Sequence, residues 1–409
     1  MKNVQALKDV VHRIENEGLS YSIAAKISGY TPNHVRAMHK KFKIVGDAAF
    51  IHGNKGRQPV LTISGTERQK IVQLYKKECS DLNFCTFCDV MDEFYDMHYC
   101  KRTVYNILTE AGIKSPEKRR VAGEVIHRPR SRRANEGDLL QVDATPFDWF
   151  GDGHMYALHG AVDDATSKFT GLYMCENECL YGYFELVRQT FYMEGGGHPA
   201  EIYSDRASIF CYPPRNADKL TMEEQLAGYH ERKTQWQRML HEVHVKQILA
   251  FSPQAKGRVE RSWRTVQATL PWRLQKLGIK TIEEANVYLR EIYLPWYNKK
   301  YGKEPADPVK VYHKSYLDPD YVLSARTSRH TNSAGVFSFE GYKWQLHKPR
   351  AACIDFELCV NEHAIKAWKD GKWYEVSLLE DIQEVEGENC PKVLKNIIYK
   401  YMYKDGHHH

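Results

Sequence analysis

The sequence predicts a multidomain protein with two α-helical units in front, a mixed α/β core in the middle and a small β-barrel at the end. Three observations predict it. Apolar residues recur at helical spacing through the first quarter of the chain, strand-like and helix-like stretches alternate from residue 136 to residue 310, and short alternating strands with Glu340-Gly341 and Asp370-Gly371 turns follow. At 409 residues the chain exceeds one ordinary core, and its 42% hydrophobic and 12% aromatic content can fill several.

Composition excludes some classes. No stretch approaches the roughly 18 apolar residues of a membrane span, and the first residues lack the basic-then-apolar layout of a signal peptide, so a cytoplasmic protein without membrane contact is expected. The ten cysteines then read as reduced thiols. The net charge is +6, but residues 1–140 hold 24 Lys and Arg against 16 Asp and Glu, a local +8 that leaves +6 − 8 = −2 for the remainder. A basic front on a mildly acidic core suits phosphate binding by the first and metal binding by the second.

Residues 1–57 form the first helical unit. Gly29-Tyr30-Thr31-Pro32 interrupts the helical pattern with a turn, an N-cap and a proline at the first helical position, the signature of a helix-turn-helix. The helix opened by Thr31 presents Asn33, His34, Arg36 and Lys40 outward and packs Val35 and Met38, so those four are candidate DNA contacts. After a Gly/Pro/basic linker, His52 to Leu61, residues 58–113 read as a second such unit, with Lys101 and Arg102 opening its last helix. Cys79, Cys85, Cys88, His98 and Cys100 lie in this unit. A single C-x-x-C spacing leaves zinc as one reading and buried free thiols as the other. Residues 114–135 form a linker whose stretch 114–133 carries eight Lys or Arg and two Glu; Pro116, Gly123 and Pro129 bar a single helix. It reads as an extended basic arm, with Arg128, Arg130, Arg132 and Arg133 placed for a DNA backbone or minor groove.

The core spans residues 136–310. Leu140 and Val142 alternate with Gln141 and Asp143 in a strand that should end at Pro146. Two more strands, a helix from about Leu180 to Met193 and a fourth strand ending at Asp205 follow, so Asp143 and Asp205 should stand at neighbouring strand ends. Ser252 and Pro253 are a good N-cap and first residue for a helix that carries Glu260, with Val259, Val266 and Leu270 inward and Lys256, Glu260, Arg264 and Gln267 on an adjoining face. Three carboxylates at strand ends and on a helix flank give hard oxygen ligands for two Mg²⁺ ions, with Mn²⁺ able to take their place, at a phosphodiester. Asp163, Asp164, Asp148 and Asp152 are rival acids, but they fall in turns where aspartate serves local hydrogen bonds.

The segments QVDATP (141–146), YSDRASIF (203–210) and SPQAKGRVERSW (252–263) resemble the integrase catalytic core of the DDE transposases. KLTMEEQLAG (219–228) resembles bacterial insertion-sequence transposases of the ISNCY type, and the resemblance runs from about Leu19 to Pro308. It implies a ribonuclease-H-like core, Asp143, Asp205 and Glu260 as catalytic and metal-holding acids, and Lys256, Arg258 and Arg264 on element-end DNA. It further implies strand cleavage that frees a 3′-hydroxyl, joining of that hydroxyl to target DNA, and action at the bacterial nucleoid. A catalytically silent DNA-binding regulator descended from such an enzyme is the alternative. Glu260 follows Asp205 by 260 − 205 = 55 positions, a longer gap than in retroviral-type integrases, with the extra length read as a helix from Met222 to His241.

Five short strands between residues 326 and 380 suggest an SH3-like barrel, and residues 381–409 a tail with a basic amphipathic helix from Lys392 to Tyr403. Two ends must be joined together, so at least a homodimer on double-stranded DNA is expected, with the arm and the tail helix reaching the neighbouring subunit.

Overall fold

The computed structural model describes residues 4–51, 63–117, 131–193, 196–212, 233–250, 257–314, 316–379 and 389–403. The chain divides into two compact units, residues 1–80 with 103–113, and residues 81–102 with 114–409.

In the first unit, α1 (Val4–Glu17), α2 (Tyr21–Ser28) and α3 (Pro32–Val45) enclose Leu7, Val10, Val11, Ala24 and Val35. The Ser20 hydroxyl accepts the Ile23 N–H to open α2, Gly29 closes it at φ +72°, and the Thr31 hydroxyl accepts the His34 N–H to open α3. Asn33, His34, Arg36 and Lys40 are exposed while Val35 is fully buried. His39 is buried too, its ring between the Tyr21 hydroxyl at 2.9 Å and Glu15 at 2.5 Å. A Ser64/Glu67 capping box opens α4 (Gly65–Glu78). Val104, Ile107 and Leu108 form the buried stripe of α6 (Lys101–Glu110), and Arg68 of α4 pairs with Glu110.

Helix α5 (Phe84–Phe94) belongs to the second unit. There, β1 (Leu139–Phe147), β2 (Tyr156–Asp163), β3 (Phe169–Cys175), β4 (Glu201–Ser204) and β5 (Lys246–Leu249) make a mixed sheet in the order β3-β2-β1-β4-β5. The first three strands pair antiparallel, whereas β1 with β4 and β4 with β5 pair parallel. Leu140, Val142 and Ile202 face α7 (Leu180–Tyr192) and α8 (Gln235–Glu242), whose Trp236 and Leu240 are buried. The other face, with Leu158, Val162, Leu172 and Met174, packs on α9 (Gly257–Leu277), α10 (Ile282–Tyr288), a π turn (Leu289–Tyr293) and α11 (Leu294–Tyr301). Asn286 clamps Met174 (2.7 Å from its N–H, 3.0 Å to its carbonyl), Gln189 clamps Leu172 (3.1 and 3.0 Å) and Asn298 clamps Phe169 (2.8 and 2.7 Å), so three side-chain amides cap the open edge of β3. Strand β1 runs past Pro146 to Phe147, contrary to the expected stop. Its β4 side is unpaired beyond Gln141, so the missing proline N–H breaks no ladder bond.

Helix α5 is locked to this core. Glu93 takes a bidentate bond from Arg273 at 2.7 and 2.5 Å, Arg273 lies 3.8 Å over the Trp296 ring, and Asp89 pairs with Lys300 at 2.8 Å.

After α12 (Pro319–Val322), six antiparallel strands follow: β6 (Ala325–His330), β7 (Val336–Phe339), β8 (Tyr342–Leu346), β9 (Asp355–Val360), β10 (Ile365–Lys369) and β11 (Lys372–Leu378). Their order, β6-β9-β10-β11-β8-β7, makes a nearly closed sheet. The two turns read from sequence close hairpins, with Glu340 and Gly341 at φ +53° and +83° and Asp370 and Gly371 at +53° and +74°. Strand β6 went unread, because Ala-Arg-Thr-Ser-Arg-His carries no apolar alternation. The tail is helical, as α13 (Asn389–Ile398) with a π turn (Tyr399–Tyr403). It buries Ile397 and Met402 on its own chain, Glu340 takes Lys400 at 2.5 Å and Tyr401 at 2.8 Å, and Tyr403 lies 5.0 Å from the Tyr181 ring. An apolar stripe of the tail is thus seated in cis on the core of its own chain. Among the described residues no helix is long and apolar enough to cross a membrane.

Candidate active site

The parallel register of β1 and β4 pairs Leu139 with Glu201, Leu140 with Ile202 and Gln141 with Tyr203. Carried two residues further, it sets Asp143 beside Asp205 on adjoining strand ends. Side chains alternate along a strand, so Gln141, Asp143 and Thr145 face α9, opposite to Leu140 and Val142. The Asp205 carboxylate is held by the Ala207 N–H at 2.9 Å, an Asx turn where the chain leaves β4.

Helix α9 supplies the third acid. Trp263 donates its indole N–H to Asp143 Oδ2 at 3.0 Å, and Gln267 Nε2 donates to Thr145 Oγ1 at 3.0 Å. Glu260, Trp263 and Gln267 fall at i, i+3 and i+7, one stripe of the helix, so the stripe that carries exposed Glu260 is the one laid along β1. Trp263 lies so close over Gly160, the β2 partner of Asp143, that a Cβ there would stand 2.9 Å from its Cζ2 and nearer still to its Cη2. Neither residue was singled out from sequence. The available signals were a tryptophan one turn after Glu260 and a glycine inside an apolar strand.

Below the two aspartates, on the α7 face, Tyr183 is fully buried and its hydroxyl donates to Glu178 at 2.6 Å. Burial, with Glu178, Asp143 and Asp205 all nearby, pushes its phenol well above the usual range. Glu178, at the start of α7, is thus another acid at this end of the sheet.

Three carboxylates without a thiol are the donor chemistry of a hard divalent cation. Among the described residues, however, no group of three or more His, Cys, Asp and Glu side chains is drawn together enough to hold a metal. Asp143, Asp205 and Glu260 share a face of the sheet without closing on one point. The cysteine cluster is likewise not assembled: His98 is engaged by Asp92 and, at 2.9 Å, by Asp96, and burial pushes the Cys88 thiol up to about 12.

The rival acids have other work. Asp163 accepts the Thr166 N–H and hydroxyl at 2.7 Å and the Gly137 N–H at 2.9 Å; Asp148 accepts three loop N–H groups, from Gly151, Asp152 and Gly153. Of the basic candidates, Lys101, Arg102 and Arg264 are exposed. Arg132 is anchored on the Asp164 and Ala165 carbonyls and on Ser167, Arg133 pairs with Glu201, and Arg258 pairs with Asp164. Arg128, Arg130 and Lys256, the His52–Leu61 linker, the Ser252-Pro253 cap and residues 222–232 of the expected extra helix lie outside the described residues.

The chain thus carries a helical front and a mixed sheet, with Asp143 on β1, Asp205 just past the end of β4 and Glu260 on the helix laid along β1. No family model matches the chain. It is similar to the transposase for insertion sequence IS1202 of Streptococcus pneumoniae, with 30% identity over 290 residues, 63% of this chain and 60% of that protein. It is also similar to the putative transposase y4bF of Sinorhizobium fredii (strain NBRC 101917 / NGR234), with 27% identity over 344 residues, 83% of this chain and 72% of that protein. The first match thus spans about 60% of the relative's length. Among solved structures, the HTLV-2 integrase catalytic core domain in complex with magnesium aligns with a TM-score of 0.27 and 18% identity, over 39% of this chain and 86% of that one. The simian T-cell lymphotropic virus intasome in complex with the PP2A regulatory subunit B56 gamma aligns with a TM-score of 0.29 and 13% identity, over 74% of this chain and 95% of that one. The resemblance to bacterial insertion-sequence transposases read from the motifs thus recurs in similarity over 63% and 83% of the chain.

Proposed function

We propose that this chain is a DDE transposase that binds the ends of an insertion sequence, cleaves a strand to free a 3′-hydroxyl and joins that hydroxyl to target DNA. The observation that supports the reading is the β1–β4 register, which, continued two residues past its last pair, brings Asp143 level with Asp205, while the Glu260 stripe of α9 lies along β1. The strand order β3-β2-β1-β4-β5, with three antiparallel strands followed by two parallel ones, supports a ribonuclease-H-like core. The Gly29 turn between capped helices supports a helix-turn-helix front, and the nearly closed six-stranded sheet an SH3-like barrel.

In this reading Asp143, Asp205 and Glu260 hold divalent cations. Two bound Mg²⁺ ions, or Mn²⁺ in their place, would supply Lewis-acid stabilisation of the attacking and leaving oxygens. The protein's own part is positioning. The Trp263 indole fixes Oδ2 of Asp143 and the Ala207 N–H fixes Oδ1 of Asp205. Exposed Arg264, one helical turn beyond Glu260, lies where it can neutralise a phosphate, and Asn33, His34, Arg36, Lys40, Lys101 and Arg102 form the candidate end-reading surface. One acid triad serves one strand end, so a dimer at least is required on paired ends.

The test is strand cleavage and joining on cloned element ends with Mg²⁺ or Mn²⁺. Asp143→Asn, Asp205→Asn and Glu260→Gln should each reduce joining by about 10³-fold or more while end binding stays within about threefold of the parent, since each removes an acid and no DNA contact. End binding by the parent without cleavage under any divalent ion would leave the silent regulator as the reading.

A further inference from the structure

We infer that Asp164 is a positioning residue, the buried carboxylate that clasps the start of the helix carrying Glu260 to the strand carrying Asp143 and seats the end of the basic arm on the same point. Asp164 is completely buried. Its Oδ1 accepts Gln141 Nε2 at 2.8 Å and pairs with the Arg258 guanidinium, and its Oδ2 accepts the Arg133 N–H at 2.9 Å. Its backbone is used as well: the N–H donates to the Leu139 carbonyl and the carbonyl accepts Arg132 Nη1, both at 3.0 Å.

The placement of these partners carries the inference. Gln141 precedes Asp143 by two residues on β1, and Arg258 precedes Glu260 by two residues in the first turn of α9. Arg132 and Arg133 end the arm, and Arg132 continues onto the Ala165 carbonyl at 3.1 Å and the Ser167 hydroxyl at 2.8 Å. The end of the arm, the strand it leads into and the first turn of α9, distant from both in sequence, therefore converge on one carboxylate. A buried carboxylate with a guanidinium and two further donors is well satisfied, whereas the same group short of a partner is not, so the arrangement is close to all-or-none. Asp164 cannot itself act on a substrate, because it is enclosed and both oxygens are taken. Its action on the proposed chemistry runs through Glu260. Arg258 is thereby read as a structural cation first, which the sequence resemblance had set on element-end DNA.

The consequence for joining rests on the transposase reading; the clasp itself does not. Hydrogen exchange by mass spectrometry on the full chain, with Asp164→Asn, Arg258→Met, Arg258→Lys and the Asp164→Asn/Arg258→Met pair, separates the two. Either Asp164→Asn or Arg258→Met should speed exchange of residues 257–265 by about tenfold or more and leave β9 to β11 unchanged, with no further gain in the pair and most of the effect restored by Arg258→Lys. Joining should fall by about tenfold or more through kcat, with end binding within about twofold. Unchanged exchange at 257–265, or exchange raised evenly through the chain, would overturn the clasp. Should Asp164→Asn not fold, Arg258→Met against Arg258→Lys decides the same question by the same peptides. A parent chain that joins nothing yet shows the stated exchange pattern would support the clasp and remove the transposase reading instead.

Discussion

Alanine at Gly160 tests whether Trp263 is seated where the site geometry needs it. A Cβ there would lie 2.9 Å from Phe169 Cε1 and nearer still to Trp263 Cη2, so the Phe169 ring must withdraw by 3.4 − 2.9 = 0.5 Å to reach ordinary contact and the indole by more. Overpacking of that kind costs about 1–3 kcal/mol. Such a withdrawal of the indole stretches its 3.0 Å bond to Asp143 past hydrogen-bond reach. Losing a hydrogen bond to a charged acceptor costs about 1.5–3 kcal/mol more. The sum, about 2.5–6 kcal/mol, opposes the stabilisation of about 0.4–1 kcal/mol that Gly→Ala gives at an unhindered position. With about 2–4 °C per kcal/mol for a domain of this size, the melting temperature should fall by about 5–20 °C. Calorimetry measures it, and joining measured beside it should fall because Asp143 loses its fixed oxygen. The control is the same alanine on a Trp263→Phe background, where the clashing Cζ2 and Cη2 atoms are gone and the added cost of alanine should shrink to what the Phe169 contact alone imposes. A melting temperature that holds or rises in Gly160→Ala, or strict additivity in the pair, would refute the seating.

Two other expectations concern stability. Glu93→Ala leaves Arg273, only 2% exposed, without its carboxylate, and should destabilise the second unit by about 3–5 kcal/mol in urea unfolding; a loss under about 1 kcal/mol would show that Trp296 stacking alone suffices. His159 is neutral in the fold, with Nδ1–H donating to the Tyr173 carbonyl at 3.1 Å and Nε2 accepting the Cys179 N–H at 3.3 Å, and burial holds its pKa down to about 4. The unfolded imidazole titrates near 6.5, so the unfolded state binds more protons between pH 6.5 and 4. Stability is whole above that window and falls within it as pH drops, by up to about 1.4 kcal/mol per unit from this residue. His159→Gln should remove that part of the slope, and an unaltered slope would assign the acid loss to other groups.

What the sequence made legible is what periodicity and turn chemistry encode locally. Alternation in Leu140–Asp143 told which face of β1 the acid takes, the spacing of Val259, Val266 and Leu270 told which face of α9 is buried, and Glu340-Gly341 and Asp370-Gly371 told where two hairpins turn. Illegible were the features that depend on a partner far along the chain. Glu93 and Arg273 lie 180 residues apart, and nothing in the α5 pattern says which unit it serves. Asp164 read as an ordinary turn aspartate because its turn is ordinary; its importance lies in Arg258, 94 residues on. Strand β6 is held by pairing with β9 rather than by an apolar stripe, so periodicity could not find it.

These distant partners share a target. Near its start, α9 is tied through Arg258 to Asp164 and the arm; in its second half it is tied through Arg273 to Glu93 of α5. Helix α5 lies between α4 and α6 in sequence, and the arm leads from α6 into β1, so the segments on either side of α6 both end on the helix that carries Glu260. One tie fixes the distance of a helix from a sheet but leaves rotation about its axis to packing, whereas two ties at separate levels fix both. Rotation is the variable that matters for Glu260, because its stripe lies along β1 only while Trp263 and Gln267 keep their bonds to Asp143 and Thr145. A change that loosens either tie should therefore act on the direction of the Glu260 carboxylate before it acts on the sheet. On the proposed function, that makes the helix the element through which the arm and α5 would bear on strand joining.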